Sequence, residues 1–384
     1  MQKIDLENKV VLITGVAGFI GANLAVRLLS SFRGIHIVGI DNMNDYYDVS
    51  LKEHRLAQIR DVAFSQIGRE AQLDVDMEMC LETDSGFSGK FDRFQFVKAD
   101  ISDKTVVSVL FQIYRPDIVV NLAAQAGVRY SITNPDAYIS SNLVGFYNIL
   151  EACRHSYDGG ARGVEHLVYA SSSSVYGSNA EVPYSIGDKV DSPVSLYAAT
   201  KKSDELMAHA YAKLYNIPST GLRFFTVYGP AGRPDMAYFG FTDKLRRGEK
   251  IRIFNYGDCK RDFTYIDDIV EGVVRVMQGA PERRVGEDAL PLPPYSVYNI
   301  GNSQPENLLN FVDILQQELV HAGVLPKDFD FGAHHELVGM QPGDVAVTYA
   351  DTSALFKDFG FRPLTDLRVG LRVFAEWYKE YYGY

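Results

Sequence analysis

The chain has 384 residues, 46% of them hydrophobic and 23% charged, which is enough to bury a substantial core in one large domain or two closely joined ones. Its formal net charge of −11 argues against non-specific binding to nucleic acid or acidic membranes, although a few local arginines can still hold an anionic substrate. The three cysteines are widely spaced, so we expect neither a disulfide framework nor a metal site. The start of the chain is polar and no apolar run approaches eighteen residues, so we expect neither a signal peptide nor a membrane span. A cytoplasmic protein is therefore the expectation.

The first predicted strand, Val10–Thr14, leads into a glycine-rich turn and a predicted helix, Phe19–Ser31. The turn reads GVAGFIG from Gly15 to Gly21, so backbone N–H groups at the positive end of the helix can meet a pyrophosphate. Asp41 closes a second predicted strand at 35–40, where its carboxylate can accept hydrogen bonds from an adenosine ribose and repel a 2′-phosphate. The pattern predicts a dinucleotide site that prefers NAD to NADP.

Strands and helices continue to alternate beyond Asp41. Further strands are predicted at 94–97, 117–122, 166–170 and 220–225, and further helices at 104–114, 137–155 and 195–215. This order is typical of an α/β fold with a doubly wound parallel Rossmann sheet, whose ligands bind at the carboxyl ends of the strands. Residues 60–92 are polar and acid-rich, and we interpret them as an inserted excursion.

The alternation ends past Tyr228, where proline and glycine become frequent. We therefore predict a dinucleotide-binding domain over residues 1–228, with the excursion inside it. A smaller, discontinuous C-terminal lobe is predicted over residues 229–384. Part of that lobe, about 260–280, is expected to return to the first domain.

A tyrosine and a lysine stand four residues apart in the helix predicted at 195–215. Tyr197 and Lys201 therefore share one face of that helix. A phenol with its ordinary pKa of about 10 is a poor base at neutral pH, and a neighbouring ammonium favours the phenolate and lowers that pKa. The serine run at 171–174 follows the strand at 166–170, where a hydroxyl can bridge a substrate oxygen and the tyrosine. These residues predict proton transfer beside a nicotinamide cofactor.

The glycine turn, the strand-end serine and the Tyr/Lys pair resemble the extended short-chain dehydrogenase/reductase family, also described as NAD-dependent epimerases/dehydratases. Seven further motifs narrow the resemblance to the UDP-glucuronate 4-epimerases. They are DNMNDYY at 41–47, AAQAGVR at 123–129, RFFTVYGP at 223–230, RPDM at 233–236, KRDFTYIDD at 260–268, NIGNSQP at 299–305 and MQPGD at 340–344. The likeness runs nearly end to end, and it departs at the long excursion and at Asp243, where many relatives carry lysine.

The resemblance implies a set of site residues. The catalytic residues would be Ser172, Tyr197 and Lys201. The NAD-binding residues would be Gly15, Gly18, Phe19, Ile20, Gly21, Asp41, Asn42, Asp100, Ile101, Leu122, Ala123 and Ala124, together with Tyr197 and Lys201. The substrate-binding residues would be Arg129, Ser172, Ser173, Ser174, Thr226, Arg233, Arg261 and Asp344. No metal is implied.

Several of these residues have implied partners. Asp100 and Ile101 would contact adenine, Arg261 the diphosphate and Asp344 the uridine ribose. A guanidinium can hold phosphate oxygens in a bidentate fork. A surface ion pair of Arg261 with Asp262 or Asp258 is the alternative that the sequence leaves open. The C-terminal lobe would bind the nucleotide sugar, and relatives commonly form homodimers through the helices at 137–155 and 195–215.

The expected reaction is NAD-dependent 4-epimerisation of UDP-glucuronate to UDP-galacturonate. Tyr197 would take the C4 hydroxyl proton as hydride leaves, and the 4-keto sugar would turn over and be reduced on its other face by the same tightly bound cofactor. Because this intermediate is a β-keto acid, the site must keep its carboxylate from decarboxylating. Ser173, Ser174, Thr226 and Arg233 are donors suited to that hold.

Three alternatives remain open at this point: a UDP-glucose/galactose 4-epimerase of relaxed specificity, a UDP-glucuronate decarboxylase, and a non-enzymatic nucleotide sensor on the same fold. The loop SSSVYG at 172–177 carries no carboxylate, which argues against a dehydratase. Supply of a capsule or cell-wall polysaccharide is the pathway that the resemblance suggests.

Overall fold

A computed structural model describes residues 1–65, 93–286, 289–340 and 345–384. Its strands are β1 Gln2–Lys3, β2 Val10–Thr14, β3 His36–Asp41, β4 Phe94–Lys98, β5 Ile118–Asn121, β6 His166–Ser172, β7 Ser219–Phe224, β8 Thr226–Tyr228, β9 Ile251–Ile253, β10 Lys260–Tyr265, β11 Gly279–Ala280, β12 Arg284–Val285, β13 Pro291–Leu292, β14 Tyr295–Ile300, β15 Pro305–Asn307 and β16 His335–Leu337.

The helices in the same residues are mostly longer than three turns. They are α1 Phe19–Ser31, α2 Val49–Ser65, α3 Lys104–Tyr114, α4 Tyr130–Thr133, α5 Pro135–Tyr138, α6 Gly145–His155, α7 Leu196–Tyr215, α8 Ala237–Arg246, α9 Ile266–Met277, α10 Leu308–Ala322, α11 Ser353–Phe359 and α12 Leu367–Tyr382. None of the helices in these ranges is long and apolar enough to cross a membrane.

The largest sheet has seven strands in the order β14-β7-β6-β5-β2-β3-β4. The pairs β2–β3, β3–β4, β2–β5 and β5–β6 are parallel, with Thr14 opposite both Ile40 and Asn121. The central strands β2 and β5 are almost wholly buried, as expected when helices cover both faces of a parallel sheet. The α/β fold with a Rossmann sheet is confirmed, and its strand order reverses between β2 and β5, where ligands of such sheets bind.

Local capping explains where several helices begin. The Asp103 carboxylate accepts from the N–H groups of Thr105 and Val106 at the start of α3, and the Ser195 hydroxyl accepts from Ala198 N–H at the start of α7. The predicted bounds of β2, α1 and α3 agree with the structure residue for residue.

The helix predicted over 137–155 is interrupted, which corrects that prediction. The chain forms α5, then a π-helical stretch, Ile139–Val144, and then α6. Within the stretch, the Asn142 side chain donates to Gln125 O and Thr200 Oγ1 and accepts from Gln125 N–H. Wider π turns of this kind are frequent at functional sites. An apolar period of 3.6 residues does not distinguish them from an ordinary helix.

The chain divides into two compact units. The first comprises Met1–Val175, Ser195–Arg223 and Val273–Tyr298, and the second comprises Tyr176–Val194, Phe224–Gly272 and Asn299–Tyr384. The segment that returns to the first unit is thus Val273–Tyr298, where the sequence suggested about 260–280, and residues 176–194 join the second unit. Of the predicted excursion, residues 60–65 belong to α2 and residues 66–92 lie outside the described part of the chain.

The second unit is built from short strands and amphipathic helices. Its sheets are the three-stranded β15-β10-β8 and the two-stranded β16-β9. Phe263 of β10 stacks on Phe311 of α10, with ring centroids 4.3 Å apart, and Phe374 of α12 packs edge-on against Tyr238 of α8. Such aromatic pairs add about 0.5–1.5 kcal/mol each beyond the area they bury.

Candidate active site

The glycine turn between β2 and α1 has no room for side chains. A Cβ on Gly21 would lie 2.3 Å from Gly15 O, and one on Gly15, whose φ is +70°, would lie 2.8 Å from Ala123 N. The turn is held in place because Gly15 N–H donates to Ile40 O over 2.7 Å. Gly18 is the N-cap of α1 and brings no side chain to the first N–H groups of the helix, so these donors are left for a ligand. This backbone-lined helix end fits the pyrophosphate of a dinucleotide.

Two carboxylates, Asp41 at the end of β3 and Asp100 just after β4, lie at the ends of the strands that follow the glycine turn. Asp41 is buried, and its Oδ1 accepts from Met43 N–H at 2.9 Å and from Lys52 Nζ at 3.3 Å. Asn42 Nδ2 donates to Asp100 Oδ2 over 2.8 Å. Burial alone would raise the pKa of Asp100, but hydrogen bonds from Asn42 and Ser102 outweigh it and lower that pKa below its ordinary value. Both carboxylates are therefore fixed and able to accept hydrogen bonds from a nucleoside.

The serine loop follows β6 directly. Ser174 donates to Ser172 Oγ from its backbone N–H at 3.2 Å and from its hydroxyl at 2.9 Å. A hydroxyl has two acceptor sites and one O–H donor, so donation is the role left to Ser172. The Ser174 hydroxyl is committed to this contact, and it must exchange partners before it can bind a substrate.

Tyr197 and Lys201 lie in the first turns of α7. The Tyr197 ring is half-buried and meets Tyr138 edge-on at a centroid distance of 6.0 Å. The Lys201 side chain is 2% exposed, and its Nζ donates to Ala170 O of β6 over 2.9 Å and to Asp204 Oδ2 over 3.2 Å. The ammonium is thus fixed beside the end of the strand that carries Ser172, one helical turn from the phenol.

A buried ion pair anchors the same helix. Arg223 of β7 donates from Nε and Nη2 to the two oxygens of Glu205, and Ser171 Oγ donates to Glu205 Oε1 over 2.7 Å. Burial alone would raise the pKa of Glu205, but the bonds and charge of Arg223 and the bond from Ser171 lower it. This fully paired carboxylate ties α7 to β6 and β7 and so fixes the helix that carries Tyr197.

The remaining predicted cofactor residues lie at the ends of the central strands. Leu122, Ala123 and Ala124 follow β5, with Ala123 N–H donating to Thr14 Oγ1 over 3.0 Å. Ile101 is buried beyond β4. Phe19 and Ile20 begin α1, directly after the glycine turn. Arg129, predicted to bind substrate, is exposed and precedes α4.

Of the predicted substrate residues that the structure describes, three belong to the second unit: Thr226, Arg233 and Arg261. Thr226 begins β8 and is opposite Phe263 of β10. Arg233 forms a two-point ion pair with Asp235, from Nε to Oδ1 at 2.9 Å and from Nη2 to Oδ2 at 2.5 Å. Ser173, in the first unit, begins a short 3₁₀ turn after β6, and Asp344 lies outside the described residues.

Arg261 lies on the second unit's strand β10. Its Nη1 donates to the backbone carbonyls of Lys260 and Ala346 at 3.0 and 3.1 Å. The Asp262 carboxylate, one of the ion-pair partners considered above, instead accepts from the N–H groups of Asn302, Ser303 and Ala350. These carbonyl contacts orient the guanidinium without neutralising its charge.

Sequence reasoning missed two side chains that support the site. Arg55 of α2 is fully buried and donates to Ala17 O inside the glycine turn at 3.0 Å. Asp204, three residues after Lys201, is the lysine's carboxylate partner. The i,i+3 spacing on one helix was a readable signal for Asp204, whereas Arg55 has no local motif. In the described ranges no group of three acidic, histidine or cysteine side chains could hold a metal ion.

Comparison with known proteins identifies relatives over almost the whole chain. Residues 11–301 match the family described as the NAD dependent epimerase/dehydratase family. Protein CapI of Staphylococcus aureus is 46% identical, with 97% of this chain and 99% of CapI covered. The probable UDP-glucuronate 4-epimerase of Rhizobium meliloti is 40% identical, with 97% of each chain covered.

A solved structure extends the comparison. The UDP-glucuronic acid 4-epimerase of Bacillus cereus, crystallised with UDP-glucuronic acid and NAD, aligns with a TM-score of 0.72 and 30% identity, covering 97% of this chain and all of that one. A tyrosine-to-phenylalanine variant of the same enzyme was crystallised with UDP-4-deoxy-4-fluoro-glucuronic acid and NAD.

Proposed function

Because the chain belongs to the NAD dependent epimerase/dehydratase family, we propose that it is an NAD-dependent 4-epimerase that interconverts UDP-glucuronate and UDP-galacturonate. The observation that carries the proposal is the arrangement of Ser172, Tyr197 and Lys201 behind a dinucleotide turn. The proposal is also supported by the 40% sequence identity, over nearly the full length, between this chain and a probable UDP-glucuronate 4-epimerase.

The residues of the first unit suit NAD as the cofactor. The glycine turn from Gly15 to Gly21 would hold the pyrophosphate, Asp41 the adenosine ribose, and Asn42, Asp100 and Ile101 the adenine side. Leu122, Ala123 and Ala124 would line the nicotinamide side. The chemistry that NAD supplies when bound is reversible oxidation at C4 of the sugar, with no net redox change.

Tyr197 is the proposed base and acid. As a phenolate it takes the proton from the C4 hydroxyl. Once the 4-keto sugar has turned over and is reduced on its opposite face, the phenol returns a proton to the C4 oxygen. The Lys201 ammonium, one helical turn from the phenol on α7, supplies a positive charge that favours negative charge on the phenol oxygen. Ser172 donates a hydrogen bond to the same sugar oxygen and so stabilises the charge that develops there.

The uronate carboxylate needs donors of its own. Ser173 and Thr226 are neutral donors suited to hold it away from the geometry in which a β-keto acid loses carbon dioxide. Arg233 would join them as an Arg233–Asp235 unit, because its guanidinium is already held by that carboxylate. In the nucleotide part, we propose that Arg261 pairs with the diphosphate, Asp344 contacts the uridine ribose and Arg129 lies near the sugar.

The direct test is an NMR time course of purified protein with UDP-glucuronate and no added cofactor. We expect UDP-galacturonate to appear and approach a fixed ratio to substrate, because bound NAD is regenerated in each turnover. Release of UDP-pentose and carbon dioxide would make the protein a decarboxylase. No turnover of UDP-glucuronate even with NAD, but turnover of UDP-glucose, would contradict the uronate specificity.

The exposed surface of the first unit supports a homodimer as its assembly. Apolar side chains that are at least 40% exposed lie on the helical stretch 137–155 and on α7: Ile139, Val144, Tyr147, Leu206, Leu214 and Tyr215. The two stretches are neighbours, because Tyr211 OH donates to Glu151 Oε1 over 2.7 Å. Such a patch is typical of an interface between copies of one chain.

We also propose that the protein is cytoplasmic and that its product supplies polysaccharide synthesis.

The dimer predicts a specific response to mutation. Leu206→Glu should convert a dimer into a monomer in sedimentation at micromolar concentration, because a charge in a buried apolar interface is not paired. Val285→Glu, on β12 and more exposed than Leu206 (74% against 60%), is the control and should leave the dimer intact. A wild-type protein that sediments only as a monomer would contradict the assembly.

A further inference from the structure

We propose that the side chains of Tyr46 and Tyr130 form a strap across the glycine turn that slows both the entry and the release of NAD. The inference rests on the proposed function, since it concerns the cofactor that this function requires. Tyr46 lies in the loop after β3, and Tyr130 begins α4 in the segment after β5. Their rings are in contact, with centroids 4.8 Å apart and planes tilted by 50°.

The order of the strands decides what this contact crosses. In the sheet, β2 lies between β3 and β5 and is parallel to both, so all three carboxyl ends lie at one edge. The glycine turn follows β2. A contact between the segment after β3 and the segment after β5 therefore spans the end of β2, where the turn begins. A dinucleotide would cover the same distance, with its adenosine at the end of β3 and its nicotinamide beyond β5.

The β3 side of the strap is attached to the glycine turn itself. Arg55 of α2 is fully buried, and its Nη1 donates both to Ala17 O inside the turn at 3.0 Å and to Tyr47 OH at 2.7 Å. The guanidinium also lies over the Tyr47 ring, 5.4 Å from its centroid. Tyr47 is the chain neighbour of Tyr46, and their rings meet at a centroid distance of 6.1 Å. These contacts hold Tyr46 close to the backbone that fits the pyrophosphate.

The β5 side of the strap is attached beside the proposed base. Tyr138 is fully buried, and its hydroxyl donates to Ala126 O in the segment after β5 over 2.9 Å. The Tyr138 ring meets the Tyr130 ring at a centroid distance of 6.3 Å and the Tyr197 ring at 6.0 Å. Asn134 Nδ2 donates to Tyr130 OH over 2.6 Å and orients that ring. A row of aromatic rings thus runs from the glycine turn to Tyr197, and every member belongs to the first unit.

The strap acts on the rates of cofactor exchange. Tyr46 and Tyr130 are half-buried and lie outside the strands, so their contact can open while the sheet stays intact. An open contact uncovers the glycine turn both for NAD that enters and for NAD that leaves. The strap therefore changes both rates by the same factor and leaves the equilibrium dissociation constant of NAD unchanged. Slow exchange suits an enzyme that regenerates its cofactor in place at every turnover.

The test is the exchange of labelled NAD, measured without any sugar. Protein loaded with radiolabelled NAD is diluted into excess unlabelled NAD, and the label that remains bound is followed with time. Uptake of labelled NAD by NAD-depleted protein gives the entry rate. Tyr46→Leu and Tyr130→Leu keep an apolar side chain but remove a ring. We expect each of them to speed both release and entry by about fivefold, within the range that an aromatic pair contributes.

Further variants show whether the two rings act together. The double variant should exchange NAD no faster than either single variant, because each change alone already opens the strap. Tyr46→Phe keeps the ring and should exchange NAD at the wild-type rate. Tyr381→Leu is the matched control, because Tyr381 on α12 is half-buried and its ring lies 4.8 Å from that of Tyr382. Its exchange rates should equal those of the wild type. Thermal melts show which variants fold, and Tyr46→Leu suffices if Tyr130→Leu does not.

The outcomes distinguish the strap from the proposed function. Unchanged release and entry rates in folded Tyr46→Leu protein overturn the strap. Faster release with unchanged entry also overturns it, because the ring would then bind NAD directly instead of closing over it. A wild type that exchanges NAD but does not epimerise UDP-glucuronate contradicts the proposed function, and the exchange rates still decide whether the strap exists. A wild type that binds no NAD contradicts both.

Discussion

Replacing Tyr197 by phenylalanine is expected to slow epimerisation of UDP-glucuronate by about 10³-fold, within the usual range for loss of an acid–base group. The variant keeps the aromatic ring, and the observed packing of that ring against Tyr138 does not involve the hydroxyl. Folding should therefore be unaffected, and the loss should appear in kcat rather than in binding of the nucleotide sugar. The NMR time course measures the rate, and a thermal melt measures the fold.

Tyr211→Phe is the matched control for this prediction. It removes a phenol hydroxyl from the same helix, where Tyr211 OH donates to Glu151 and not to a proposed catalytic group. Its turnover should stay within about twofold of wild type, because a single partly buried hydrogen bond away from the catalytic groups contributes about 1 kcal/mol to stability rather than to catalysis. Near-normal turnover of Tyr197→Phe would remove Tyr197 from the mechanism.

Much of the first unit could be predicted from sequence because its signals are local. The strand–glycine–helix pattern fixed β2 and α1, and α3 carries its own Asp103 cap. The i,i+4 spacing alone places Tyr197 and Lys201 on one face of α7. Hydrophobic periodicity and capping residues are enough to predict a helix or strand wherever residues close in sequence determine its conformation.

The parts that escaped prediction depend on contacts between distant segments. The π-helical stretch before α6 is stabilised by Asn142, whose partners Gln125 and Thr200 lie in the loop after β5 and on α7. The anchor between Glu205 and Arg223 joins a helix to a strand. The return of a C-terminal segment to the first unit was predicted, but its bounds, Val273–Tyr298 rather than about 260–280, are set by tertiary packing. No window of sequence contains these partners together.

Motifs predicted the roles of the charged site residues only in part, because they do not show which charges pair with each other. Arg233 was expected to meet a substrate carboxylate, and the structure shows that Asp235 already binds its guanidinium at two points. Asp41 was expected to meet a ribose, and Lys52 is its neighbour. A motif identifies which charged residues a site contains, whereas their mutual pairing decides how much charge remains for a ligand.

Gly21→Ala is expected to remove most of the bound NAD from the purified protein, about a tenfold loss of cofactor per chain. The new Cβ would lie 2.3 Å from Gly15 O, which is far inside contact distance. The turn cannot simply retreat, because Gly15 N–H is bonded to Ile40 O at the end of β3. Overpacking of this kind costs about 1–3 kcal/mol, and about 1.4 kcal/mol already corresponds to a tenfold change in binding.

Gly240→Ala provides the control for a methyl group added to a helical glycine. Gly240 lies in α8, and its Cβ would meet Pro234 O at 3.5 Å, an ordinary contact. Bound NAD, released by denaturation and assayed per mole of chain, should match wild type in this variant and fall in Gly21→Ala. Added NAD should restore part of the activity of Gly21→Ala, because the distorted turn weakens binding without removing Tyr197 or Lys201. Full retention of NAD by Gly21→Ala would mean that the close approach of α1 to the turn is not what holds the pyrophosphate.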